Sequence, residues 1–120
     1  MTPHVRAAVA FVAGRLASGR RSTSVFDYSR GQYVQFGGSV SQTSVNVFDY
    51  DRGAHFSGSG SGGRLSLFHY GDSHHVSLNV KGRQFDGFDY GTSSHFSGSV
   101  NGGSVNLYDY GESQHFQYSL

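Results

Sequence analysis

Along residues 22–120, apolar and polar positions alternate at period two, in short bursts separated by glycine-rich punctuation. Val45 and Val47, Leu65 and Leu67, and Val105 and Leu107 fall on one face of a pleated strand, since successive strand side chains point to opposite faces. The neighbouring aromatics, such as Phe48 and Tyr50, fall on the other. A strand apolar on both faces is expected to be covered on both sides. β-Branched and aromatic residues fill the bursts. Ser61-Gly62-Gly63, Lys81-Gly82 and Asn101-Gly102-Gly103 supply turns, because glycine and asparagine adopt positive φ readily. Nearer the N-terminus the period changes. Val5, Val9, Val12 and Leu16 form a narrow helical stripe, and Gly19 is placed to end a helix. Residues 7–14 also fit a short signal-peptide core after Arg6, although Arg15 interrupts it early and residues 16–19 make a weak cleavage site. Residues 1–21 are therefore expected to be a basic amphipathic helix or a leader. No apolar run reaches the roughly 20 residues of a transmembrane segment.

The bursts repeat, and this self-similarity is the strongest signal in the chain. Aromatic-acid-aromatic triplets recur as Phe26-Asp27-Tyr28, Phe48-Asp49-Tyr50, Phe68-His69-Tyr70, Phe88-Asp89-Tyr90 and Tyr108-Asp109-Tyr110, their last residues separated by 22, 20, 20 and 20 positions. Five positions further on stand Tyr33, His55, His75, His95 and His115, each followed by Val34, Phe56, Val76, Phe96 or Phe116. Five tandem strand-turn-strand units result, over residues 22–43, 44–63, 64–83, 84–103 and 104–120.

Two all-β architectures fit such units. In a five-rung β-solenoid each unit is a rung, and equivalent residues stack in columns at ~4.8 Å. In an antiparallel β-hairpin meander or barrel each unit is a hairpin, with Asn101-Gly102 suited to a type I′ turn. Recurrence of the same aromatic, acid and histidine in register favours the solenoid, because like side chains stack there. The stretch Ser104-Val105-Asn106-Leu107-Tyr108-Asp109-Tyr110-Gly111 resembles the repeat of the curli major subunit, a secreted bacterial amyloid protein that also has five units. That resemblance covers residues 22–120 and implies stacked strand-turn-strand units that self-assemble. Curli place glutamine or asparagine where this chain has Asp27, Asp49, Asp89 and Asp109.

Composition narrows the function classes. Charged residues are 14% and aromatics 15%, the reverse of a disordered chain. Cysteine is absent, which removes disulfides and thiolate metal sites. Of nine basic residues, Arg6, Arg15, Arg20 and Arg21 precede residue 22; the five that follow face eight acids, a net of −3. The repeat array is thus not expected to bind nucleic acid.

Asp, Ser and His recur together, as in Asp109, Ser113 and His115, and those residue types could build a hydrolytic triad. The set appears in nearly every unit, whereas an active site is normally one break in a pattern. No catalytic residue is therefore expected, and the chain is not read as an enzyme. His55, His75, His95 and His115 beside Asp27, Asp49, His69, Asp89 and Asp109 are read as a polar ladder, with no metal or cofactor. The histidines, when protonated, are expected to offset the stacked acids across each short turn, Asp49 to His55 and Asp109 to His115. Phe26, Tyr28, Phe48, Tyr50, Phe68, Tyr70, Phe88, Tyr90, Tyr108 and Tyr110 are read as a stacking ladder.

The expected function is structural: self-association into cross-β filaments or another ordered assembly. The alternative is a monomeric binding module presenting aromatic and histidine stripes to a glycan, a surface or a protein partner. Export to the cell surface would suit either role, although the leader signal is weak.

Overall fold

The computed structural model of the protein describes residues 1–120: one helix, α1 (Pro3–Ser18), followed by ten strands. These are β1 (Ser24–Asp27), β2 (Gln32–Val40), β3 (Ser44–Asp49), β4 (Ala54–Ser61), β5 (Arg64–His69), β6 (His74–Lys81), β7 (Gln84–Asp89), β8 (Ser94–Asn101), β9 (Ser104–Asp109) and β10 (Gln114–Ser119). Each unit of the repeat is one hairpin. Every strand pairs antiparallel with its neighbours in sequence, and β1 also pairs with β10, so the sheet closes into a barrel. The closing seam is short, matching Phe26 and Asp27 with Ser119 and Tyr118.

This overturns the expected five-rung solenoid. The repeated residues do not stack one strand apart. They lie on alternate strands, about 9.6 Å apart at ~4.8 Å per inter-strand gap. The local reason is turn chemistry. Gly62 and Gly63 have φ of 60° and 80°, which suits the two-residue type I′ turns that reverse a chain into an adjacent antiparallel strand. A solenoid rung would have to travel around a coil instead. The turn after β8 is Gly102-Gly103 rather than Asn101-Gly102, since Asn101 still pairs with Ser104.

The helix runs inside the barrel. Thr2 caps it by accepting from the Val5 N–H at 3.3 Å, Pro3 opens the first turn, and Gly19 ends it at φ 70° with its N–H on the Arg15 carbonyl at 3.0 Å. Every residue from Val5 to Gly14 is buried, Arg6 included. A helix apolar all round belongs in a core rather than on a surface. It packs against the inward residues of the strands, including Val25, Val34, Phe36, Val47, Leu67, Leu78, Val105 and Leu107. Phe11 stacks on Phe36 with ring centroids 4.4 Å apart. No helix is long and apolar enough to cross a membrane.

The wall curves tightly around this helix at glycine kinks. A Cβ added to Gly58 would run into the Ser66 carbonyl oxygen of the next strand, so no side chain fits that backbone. Barrels of this kind need such corners to close.

If α1 is the core, deleting the Phe11 ring leaves a cavity on all sides. Phe11→Ala should therefore lower unfolding free energy by about 3–5 kcal/mol, read from urea denaturation. A loss below about 1 kcal/mol would place the helix outside the barrel.

Candidate functional site

The alternation that defines the strands also sorts the predicted site residues between two faces. Asp27, Asp49, His69, Asp89 and Asp109 point inward and are fully buried. Phe26, Phe48, Phe68, Phe88 and Tyr108 point outward and are half-buried. Each meets its own hairpin's second strand directly: Phe26 opposite Tyr33, Phe48 opposite His55, Phe68 opposite His75, Phe88 opposite His95 and Tyr108 opposite His115. Edge-on contacts follow, with centroids 4.9 Å apart for Phe48–His55, 4.7 Å for Phe88–His95 and 4.6 Å for Tyr108–His115. Tyr28, Tyr50, Tyr70, Tyr90 and Tyr110 remain 55–64% exposed. The second apolar face is thus covered by its own cross-strand neighbours, not by a separate layer.

The tyrosines tie the hairpins together. Tyr50 lies over Gly37, Tyr110 Oη is 3.3 Å from Ser97 Oγ, and Tyr28 Oη is 3.0 Å from Ser119 Oγ. Each leans onto the hairpin before its own, and Tyr28 does so across the closing seam. The expected column is instead a girdle. Because aspartate and histidine face opposite sides of the wall, Asp49 does not meet His55, and Asp109 does not meet His115. Ser113, in the turn, completes no triad with them.

The outer wall carries one feature absent from the sequence reading. In the first strand of the second, third and fifth units the pattern is Val45-Asn46-Val47, Leu65-Ser66-Leu67 and Val105-Asn106-Leu107. In the fourth it is Phe85-Asp86-Gly87. Phe85 pairs with Gly98, and Gly87 with Phe96, so each ring occupies the space a side chain on the opposite glycine would need. Both glycines are bent so far that a Cβ would strike the carbonyl of an adjoining strand, Ser77 for Gly87 and Asn106 for Gly98. The wall dips here. A groove of about 1070 Å³ and a depression of about 620 Å³ meet at Asn79, Asp86 and Ser97.

Strand register shows what crosses the groove. Arg64 is opposite Asn79, Asn79 opposite Asp86, Asp86 opposite Ser97, Ser97 opposite Tyr108 and Tyr108 opposite His115. This single outward row spans β5 to β10, roughly 24 Å at ~4.8 Å per gap. Asn79 Nδ2 donates to Asp86 Oδ1 at 3.0 Å, leaving the exposed Asp86 Oδ2 without a protein partner. His115 Nδ1 and Asn106 Oδ1 are hydrogen-bonded at 2.8 Å. The signal for this site was present in the sequence as the one unit whose first strand has glycine, Gly87, where the others have Val25, Val47, Leu67 and Leu107.

The inward acids serve the turns. Asp49 Oδ1 accepts from the N–H groups of Asp51 and Arg52, each at 3.0 Å, and Asp109 Oδ1 accepts from the Gly111 N–H at 2.9 Å. His69, standing in for the acid, accepts the Asp72 N–H on Nδ1 at 3.1 Å, which places its Nε2 proton toward Asp49 Oδ2 at 3.4 Å. Asp109 also lies at the helix N-terminus, its Oδ2 3.2 Å from the Met1 amino group, where the macrodipole favours negative charge. Arg6 Nη1 donates to Asp109 Oδ2 at 3.3 Å. What offsets the inward acids is therefore turn amides, the helix end and arginines, rather than the outward histidines. Burial works to raise the Asp27 carboxyl, but hydrogen bonds from Ser29 and Arg30 and the Arg30 charge outweigh it and hold it below the ordinary value of 3.8. Asp72 is lowered likewise: burial opposes, while hydrogen bonds from Thr2 and Arg52 and the Arg52 charge prevail.

Comparison of the chain with protein-family models, curated proteins and solved structures returned no match.

A carboxyl held below its unfolded value contributes stability above that value and loses it as pH falls through the folded one. The Asp27 and Asp72 contributions should thus be complete above about pH 5 and disappear below 3.8. Asp27→Asn should be less stable than the parent at pH 7, and the two urea midpoints should converge as pH falls below 3.8. A constant difference down to pH 2.5 would show that the Asp27 charge is not the source.

Proposed function

We propose that the protein is a binding module that holds an extended, hydroxyl-rich ligand, an oligosaccharide, along the outward row on β5 to β10. The observation that carries this reading is Asp86. It is the one acid among the outward positions of the strands, stands at the break in the repeat, and leaves a carboxylate oxygen free where the two depressions meet. Sugar hydroxyls are paired donors and acceptors on an otherwise apolar ring. They are recognised by planar polar groups beside aromatic faces, and Asp86, Asn79 and Asn106 lie beside Tyr108, His115 and Tyr110 in this wall. Protein binding sites generally combine apolar surface with a few placed polar groups in this way.

Ordered self-assembly is the second reading, favoured by the exposed tyrosines repeated around the girdle. In a closed barrel every strand is paired on both sides, so such assembly would proceed through side chains rather than by extending the backbone ladder.

Binding of oligosaccharides by calorimetry tests the module. A charged acceptor contributes about 1.5–3 kcal/mol to a hydrogen bond, so Asp86→Ala should weaken binding tenfold or more. Tyr110→Ala, at the groove, should weaken it by about threefold to tenfold, a typical aromatic contact of 0.5–1.5 kcal/mol. Tyr50→Ala, on the opposite side of the barrel, should leave affinity unchanged. Equal losses for the two tyrosines would shift the ligand to the whole girdle. Sedimentation of the parent chain as a concentration-dependent oligomer, abolished by Tyr50→Ala, would favour assembly instead.

A further inference from the structure

The nine basic side chains divide cleanly by position. Arg6, Arg30 and Arg52 lie at the barrel end that holds the helix N-terminus, each within 3.3 Å of a carboxylate oxygen. The other six are Arg15, Arg20, Arg21, Arg64, Lys81 and Arg83. All lie at the opposite end, in the helix's last turn, the link to β1, or beside the two-residue turns, and none pairs with an acid. Seven of the eight acids are at the first end, and Asp86 alone stands on the wall between. Unpaired like charges gathered at one end repel one another, a cost that an anionic ligand would relieve.

Two of these cations belong to the groove. Arg64 begins the row that runs through Asn79 and Asp86, and Lys81 lies two residues beyond Asn79 on β6, on the same outward face. Both line the larger depression. The row therefore runs from unpaired positive charge at Arg64 and Lys81, past hydrogen-bonding groups, to the Tyr108–His115 aromatic pair. A neutral sugar chain would leave the cationic end with nothing to do.

We infer that the oligosaccharide is acidic, carrying carboxylate or sulfate groups that engage Arg64 and Lys81 while its uncharged faces lie toward Tyr108. This rests on the oligosaccharide reading above. Guanidinium and ammonium groups both bind such oxyanions by charge-assisted hydrogen bonds, the guanidinium in bidentate fashion. Exposed pairs of this kind contribute up to about fivefold each and are screened by salt, over about 10 Å at 0.1 M and 3 Å at 1 M ionic strength.

The test is calorimetric titration of the full chain with a neutral glucose hexamer, a galacturonic acid hexamer and a sulfated hexamer. At 0.1 M salt the acidic hexamers should bind on the order of tenfold tighter than the neutral one, and at 1 M salt the gap should close. Whichever acidic hexamer binds better identifies the oxyanion. Arg64→Gln/Lys81→Gln should abolish the gap between acidic and neutral hexamers without lowering thermal stability, both side chains being exposed and unpaired. Arg20→Gln/Arg21→Gln, at the same end but off the groove, should leave it intact. An Asp86-dependent affinity with no preference for acid would overturn this inference alone. Failure of every hexamer to bind would overturn the oligosaccharide reading with it. Binding of phosphatidylserine vesicles that needs Arg20 and Arg21 but not Asp86 would overturn the inference in favour of a membrane surface.

Discussion

A barrel of ten strands encloses more space than its own inward side chains can fill, and the rest of this structure depends on how that space is occupied. Here a helix fills it. The fit requires small residues, and α1 supplies them: Ala7, Ala8, Ala10, Ala13 and Gly14 are buried with Val5, Val9, Phe11 and Val12. Gly14 shows how close the packing is, since a Cβ there would press on Leu120 and Val105. The strands meet the helix with valine, leucine and phenylalanine at alternate positions and turn sharply at glycines. Each part needs the other. An empty barrel of this width would leave its lining without contacts, and an all-apolar helix has no stable place in water.

Placing a helix in the middle also orders the charges. Its positive end lies beside Asp109, and the inward acids receive turn amides and arginines, so carboxylates that would otherwise be costly to bury are satisfied. Charge at the other end is left unbalanced. The polarity of the molecule, acids and their partners at one end and free cations at the other, follows the direction in which α1 threads the barrel.

Five nearly equal hairpins make a nearly uniform outer wall, and uniformity is a poor basis for recognising one ligand in one place. The fourth hairpin departs from the rest. Exchanging large and small residues between Phe85/Gly98 and Gly87/Phe96 keeps the interior filled while bending the wall, and the same three-residue change introduces Asp86 on the outside. A packing adjustment and a chemical group thus arrive together, at the point where the groove crosses the strands.

The sequence by itself determined the elements: the period-two pattern marked the strands, the glycines marked the turns, and the recurrence of aromatic, acid and histidine set the five units. Strand period also placed Asp49 with Val47 on one face and Phe48 on the other. It could not say which face was inside, since both carry apolar side chains. Nor did repeat length distinguish hairpin from rung, because about 20 residues fits either; the glycine turns decide that locally, and the pairing of β1 with β10 across the whole chain decides closure. Helix α1 was legible as a helix, but its valine stripe read as amphipathic because alanine and glycine on the remaining faces are compatible with either solvent or a tight core. The Phe85-Asp86-Gly87 departure was visible as letters. Its meaning as a groove arose only when successive pairing laid six strands side by side, since a surface shared by residues as far apart as Arg64 and His115 exists only in the folded chain.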